Sequence, residues 1–255
     1  MVKMCQTQWL GKVEYGEALS LQKELAALRA ANEIPDTLLL LEHPSTYTVG
    51  RDGHREHLLI HQEELAQRGV SLHRVDRGGS VTYHGPGQLV CYPILNIREL
   101  GYSYHRYLKA LESVIIRTLS LLKVRAFSER AQPEVWVFTR QSGSNQLEEG
   151  TPLDRGIAQI AAIGVKLNER NITTHGFFIN VNPNLAYFDL IMPCGVLGCQ
   201  VTSLQQVLSR PIHLSLIIEP LIQSFCETFN MERITSTPQI LTNRLGQPAS
   251  LSYVA

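Results

Sequence analysis

Between residues 17 and 29 apolar side chains recur as Leu21, Leu25 and Leu28, steps of four and three that share one face of a helix. Asn32 and Pro35 close that helix, and residues 37–42 read as a buried strand. A second helix is expected over residues 62–68, ending at Gly69. Strand patterns follow over 70–74, 80–83 and 89–97, the last two flanking His84-Gly85-Pro86-Gly87-Gln88. Glycine admits positive φ there and proline fixes its own, so the pair reads as a glycine-rich hairpin. Leu108, Leu111, Ile115, Leu119 and Leu122 give the longest helical pattern, over residues 104–122. Val135-Trp136-Val137-Phe138 is a short strand. Residues 160–165 and 171–181 form an antiparallel pair joined through 167–170. Ser203 to Gln206 has the spacing of a helix capping box, and a last helix ends near Phe229.

Strands and helices come in mixed order with at least two hairpins, which predicts an α+β (mixed α/β) fold. At 255 residues the chain fits one domain, residues 1–230, with a poorly patterned tail over 231–255. Residues 141–156 are rich in Ser, Gly and Asn and read as a mobile surface loop. Lys+Arg and Asp+Glu balance at 23 each, so no global field would draw nucleic acid or an anionic membrane. No apolar run approaches a membrane span, and the start has no basic-then-apolar signal pattern. Five irregularly spaced cysteines suit a reducing compartment better than a disulfide framework, which points to the cytoplasm.

Three places could carry chemistry. Cys194 stands between Pro193 and Gly195. A free thiol ionises at about 8.5 and only the thiolate is a good nucleophile, so a working Cys194 needs a neighbour that lowers that value. The residue equally fits a small buried apolar side chain. Cys194 and Cys199 make only half of a zinc ligand set, and His43, His54, His57 and His61 show no spaced pair joined to a carboxylate ligand, so no metal is expected.

The second place is the run Arg77, Gly78, Gly79, Ser80, Val81, Thr82, Tyr83 and His84. A cation, two bare amides, hydroxyls and an imidazole could line a pocket for a carbonyl or an anion. They also fit a hairpin with a structural arginine. The Gly-Lys-Ser/Thr ending of a phosphate loop is absent, and no helix opens after the run as a dinucleotide fingerprint requires. The third place is Thr174-His175-Gly176. Strand alternation puts His175 on the face of Thr173 and Phe177, as a proton carrier or as a hydrogen-bonded structural residue.

The segments RGGSVTYHGPGQLVCYPIL, IAAIGVKLNERNITTHGFFINVN and PCGVLGCQVTSL, in that order and with EHPSTYTVGR nearer the start, closely resemble the lipoyl(octanoyl) transferase family. The resemblance runs from Leu10 to Phe229. It implies the catalytic-domain fold shared with biotin and lipoate protein ligases. It also implies an acyltransferase that moves an octanoyl group from octanoyl-acyl carrier protein to a lysine of apo lipoyl domains, those of 2-oxoacid dehydrogenases and the glycine cleavage H protein, without a cofactor. By this resemblance Cys194 is the acyl-thioester cysteine and residues 77–84 are the first substrate-binding stretch. Ala162, Ile163 and Gly164, together with His175, Gly176, Phe177 and Phe178, supply the others. Amides near Ile163, Gly164 and Gly176 would then be oxyanion donors. On a regular strand Phe177 and Phe178 point apart, so one of them would meet the acyl chain.

The sequence departs from that pattern at Gln159, where the family's catalytic lysine would stand. An amide can hydrogen-bond but supplies neither positive charge nor a base. Lys166 lies an odd number of residues on, hence on the opposite strand face unless a bulge intervenes. Glu134 replaces a residue that is usually glycine, and the 141–156 loop is a further departure. Two readings stay open: an active octanoyltransferase in which His175 or another group compensates, and a catalytically impaired binder of acyl groups or partners. A ligase that adenylates free fatty acid would need a nucleotide-binding signature, which the sequence does not display.

Overall fold

Four consecutive leucines, Leu38 to Leu41, cannot all share one face of a strand. Pleating sends Leu38 and Leu40 to one side and Leu39 and Leu41 to the other, so both sides need cover. The computed structural model describes residues 2–129, 133–139, 156–193 and 199–235. Its chain runs β1 (Lys3–Lys12), α1 (Tyr15–Ala30), β2 (Asp36–Glu42), β3 (Thr46–Val49), α2 (Gln62–Gln67), β4 (Ser71–Arg74), β5 (Val81–His84), β6 (Gln88–Ile94), α3 (Tyr104–Leu121), β7 (Ala126–Ser128), β8 (Glu134–Phe138), β9 (Ile157–Leu167), β10 (Thr173–Asn180), α4 (Leu204–Leu208), α5 (Ser215–Phe229) and β11 (Met231–Ile234). Short 3-10 turns occupy Arg55–His57 and Leu185–Leu190.

Among the described residues the strands form two sheets, one ordered β11-β1-β2-β6-β10-β9-β8-β7 and the other β4-β3-β5. Parallel pairs (β1 with β2 and β11, β3 with β4) and antiparallel ones coexist, so the fold is mixed α/β, as the element order suggests. Leu38, Leu40, Cys91 and Phe177 pack beneath α3 and α5. Leu39, Leu41, Val90 and Phe178 pack on the other face, beneath α1 and the small sheet. In α3 the spacing of Tyr107, Leu111, Val114, Ile115 and Leu119 supplies the buried stripe, and Ser103 Oγ caps the start by accepting from Arg106 N–H at 3.3 Å.

Several expectations need correction. The segments around Gly85-Pro86-Gly87 are not a hairpin: β5 pairs with β3 in the small sheet, while β6 is held on both edges by β2 and β10. The turn carries the chain from one sheet to the other. Gly87, at φ 86°, fits there because a Cβ would sit 2.5 Å from Asn182 Oδ1. The tail expected from residue 231 gives its first four residues to the sheet as β11. At α4, Ser203 Oγ accepts from Gln206 N–H at 3.4 Å, but the glutamine side chain accepts from Thr202 Oγ1 instead of completing the box. The 141–156 loop, apart from Gly156, and the tail beyond residue 235 lie outside the described residues.

Candidate active site

The small sheet delivers residues 77–80 to the edge of β9. Gly50 N–H donates to Ser80 O at 2.9 Å and Arg51 N–H to Arg77 O at 3.0 Å. Asp52 Oδ2 accepts from Gly79 N–H at 2.8 Å. Gly50 must be glycine for this clamp, since a Cβ would lie 2.2 Å from Gly79 O. On its far side the loop docks through Gly78 N–H to Val165 O at 3.1 Å. It fits against Gly164, where a Cβ would come within 3.0 Å of Gly78 O and Arg77 Cδ.

Behind this loop lies a cavity of about 650 Å³. Its lining gathers nearly all the site residues picked out above: Arg77, Gly78, Gly79, Ser80, Val81, Thr82 and His84; Ala162, Ile163 and Gly164; His175, Gly176, Phe177 and Phe178. Phe177 and Phe178 belong to opposite cores, as a strand requires, yet both contribute to the wall. Tyr83 does not line it. Its ring stacks on Tyr187 at 4.7 Å and its hydroxyl meets Ser45 Oγ at 3.1 Å. Ile163 N–H donates to Pro133 O at 3.0 Å, so that amide is already engaged and is no open oxyanion donor. Tyr15, His57, Tyr92 and Glu134 also line the cavity. Sequence reasoning missed Tyr15 and Tyr92 because each lies in its own element, without a motif around it.

The polar residues of the wall are tightly held. Arg77 is buried and donates to Thr48 O at 2.8 Å and to Thr48 Oγ1 at 2.9 Å. His84 Nδ1 lies 2.7 Å from Gln88 Oε1, and Gln88 Nε2 donates to Asn180 Oδ1 at 2.9 Å. Asn180 Nδ2 donates to Thr202 O at 3.1 Å, and Thr202 N–H to Gln159 O at 2.9 Å. A buried polar chain thus links the cavity to the strand segment beside Gln159. Burial pushes His84 far below the usual histidine range, with the neighbouring His43 adding to the effect, so it works as a neutral ring. Burial likewise lifts Tyr15 to about 12, only partly offset by Arg77.

His175 departs from strand alternation. At φ 57° it is left-handed, and Nε2 lies 2.8 Å from Asp76 Oδ1, the carboxylate that also accepts from Lys166 Nζ at 2.6 Å. The ring therefore shares the face of Lys166 rather than that of Phe177. Burial opposes ionisation of Asp76, but the hydrogen bonds from Lys166 and His175 prevail and hold it down at about 2. Burial lowers His175 itself, partly countered by Asp76.

Gln159 is buried and does not line the cavity. Its N–H donates to Gln200 O at 2.7 Å and it bridges to Val201. Val135 pairs with Ala161 and Trp136 with Gln159, so the bulge falls at Ile160, not at Gly164. His175 pairs with Val165, six residues along β9 from Gln159, or about 20 Å at strand rise. Neither His175 nor the Asp76-bound Lys166 can therefore stand in at the position of Gln159. Cys194 lies outside the described residues. The chain approaches it with Met192 N–H on His57 O at 2.8 Å and resumes with Cys199, whose thiol burial, then Glu134, pushes up to about 12.

Residues 14–226 match the family profile described as the lipoyl protein ligase A/B catalytic domain. The octanoyltransferase of Chloroflexus aurantiacus is 42% identical over 224 residues, 88% of this chain and 93% of that protein. The chain belongs to the lipoyl(octanoyl) transferase family. The octanoyltransferase of Chloroflexus aggregans is 39% identical over 89% of this chain and 96% of its own length. A bi-partite lipoate protein ligase from Thermoplasma acidophilum, whose structure was analysed with its E2 lipoyl domain, shares the fold at a TM-score of 0.63 and 13% identity, covering 96% of this chain and 91% of the other. The fold is thus that of lipoate protein ligases, while the sequence groups with octanoyltransferases.

Proposed function

We propose that this protein transfers an octanoyl group from octanoyl-acyl carrier protein to a lysine of apo lipoyl domains, through a thioester on Cys194, in a cytoplasmic compartment. Arg77 through Thr82, His84 and Ala162 through Gly164 bind the acyl donor, and Phe177 and Phe178 wall the acyl chain. The observation that carries this reading is the cavity itself. The 77–84 segment and the β9–β10 hairpin, about eighty residues further along the chain, converge on one half-open, mainly apolar space. Along β9 it runs from Ala162 to Val165, about 10 Å, the reach of a medium-length acyl chain. Identity to octanoyltransferases over nearly the whole chain supports the same reaction.

Acyl passage from one thioester to another is close to isoergic, and aminolysis then drives the transfer forward. The thiol must lose its proton for the first step and the lysine amine for the second. The competing reading, an impaired binder, draws on Gln159, which is neutral and buried where a cation or base would serve. Intact-mass spectrometry with octanoyl-acyl carrier protein, before and after apo lipoyl domain is added, separates the two. An octanoyl adduct that maps to Cys194 and moves to the lipoyl domain is the expected result. An adduct that forms and stays, or none, favours the impaired binder.

A further inference from the structure

Resting on the reading of the cavity as the acyl site, we propose that Tyr15 recognises the acyl donor by donating a hydrogen bond to its carbonyl oxygen. Tyr15 opens α1, and its ring is wedged among three imidazoles. The centroids of His43 and His73 each lie 5.0 Å away, and the His84 ring stacks on it at 6.0 Å. The side chain is only 2% exposed and lines the cavity, yet its hydroxyl has no hydrogen-bond partner among the described residues. That hydroxyl is not sealed inside protein, as the unpartnered Gln22 Nε2 and His175 Nδ1 are, so it opens on the cavity.

A buried phenol normally finds an acceptor, because leaving the group unpaired costs stability. Other donors of the wall have found theirs. The amides of Gly78, Gly79 and Ile163 donate within the protein, as do Tyr92 Oη to His43 and His84 Nδ1 to Gln88. Tyr15 keeps its proton free for a ligand. Burial holds the phenol protonated at neutral pH, so it serves as a donor and not as a base.

The hydroxyl also sits toward the appropriate end of the cavity. His84, stacked on Tyr15, meets the Phe178 ring edge-on at 5.7 Å, and Phe178 pairs with Ala162 of β9. Ala162 is three residues from Gln159, the position where the family carries its catalytic lysine. A chain lying along β9 from Ala162 to Val165 therefore has its polar head near Tyr15 and its methyl end near Val165. The acceptor that an acyl thioester offers at that head is its carbonyl oxygen. No bond is made or broken in this contact.

Two ligands that differ at one carbon test the proposal on the whole protein by calorimetric titration. Octanoyl-pantetheine with a methylene in place of the thioester sulfur keeps the carbonyl but cannot pass on its acyl group. The same molecule with that carbonyl reduced to a methylene lacks the acceptor. Tyr15→Phe should weaken the first roughly three- to tenfold, the worth of one hydrogen bond, and leave the second unchanged. Thermal melts of the two proteins should coincide, since the hydroxyl supports nothing in the free protein. Unaltered affinity for the ketone in Tyr15→Phe would overturn the proposal. An equal loss for both ligands would do so too, because it would report a disturbed wall. Wild-type protein that binds neither ligand would remove the reading of the cavity as an acyl site, and the proposal with it.

Discussion

Tyr92 Oη donates to His43 Nε2 at 2.7 Å, because the other ring nitrogen already donates to Val13 O at 2.7 Å. A second proton on this ring would have to turn the Tyr92 hydroxyl hydrogen away from Nε2. Burial accordingly lowers His43 to about 4. An unfolded histidine titrates at about 6.5, so between these values the unfolded chain binds more protons and stability rises with pH. The contribution is complete above about pH 6.5 and is lost as pH drops toward 4, at most about 3 kcal/mol at 1.4 kcal/mol per unit. His84 and His175 are lowered by burial too and act in the same sense. Asp76 enters only below the ordinary carboxylate range. Urea midpoints should be clearly lower at pH 5 than at pH 7, and His43→Gln should flatten the difference. Equal midpoints would refute this account.

The left-handed backbone at His175 makes a prediction about shape rather than charge. Asparagine tolerates φ 57° and a β-branched side chain does not. Both replacements lose the imidazole bond to Asp76, so their difference isolates the backbone. His175→Val should be less stable than His175→Asn by about 1–2 kcal/mol in denaturant titrations.

Two glycines should respond in opposite directions. Gly16 sits in the first turn of α1 with open space around it, so Gly16→Ala should gain about 0.5–1 kcal/mol. At Gly176 a Cβ would lie 1.9 Å from Cys91 O, a contact that only movement of β10 away from β6 can relieve. Gly176→Ala should cost several times as much, or fail to fold, and thermal melts of the pair would show it.

Thiol reactivity should be confined to one cysteine. Burial raises Cys5, Cys91, Cys199 and Cys226, the described cysteines, above the ordinary range. Peptide mapping after brief alkylation at neutral pH should place the first label on Cys194. A first label on Cys199 would contradict its elevated value.

Gln159→Lys puts an amine at a buried position beside Trp136, where desolvation should pull its pKa below the usual 10.4. Transfer to lipoyl domain should rise by up to about a hundredfold at neutral pH, read from single-turnover acyl loss. No gain would mean that proton transfer is already served elsewhere.

Local pattern carried much of this protein. The spacing of Leu111, Ile115 and Leu119 marked α3, and the runs around Ile163 and Phe177 marked β9 and β10. The cavity residues were legible because they cluster in three short segments. What escaped was set by distant partners. β1 buries Gln6 and Gln8 and has no clean alternation, since its pairing with β2 and β11 decides its fate. The separation of β5 from β6 depends on β2 and β10 having filled both edges of β6. His175 changes face because its own backbone takes a left-handed φ, which strand alternation does not foresee.

The pairing of Lys3 with Met231 has a consequence for synthesis. A ribosome releases β1 first and its outer neighbour more than two hundred residues later. At about 5–20 residues per second, the growing chain carries an uncovered strand edge for roughly ten to fifty seconds. Translation products that stop before residue 231 would keep that edge open for good, a template on which other nascent chains can assemble.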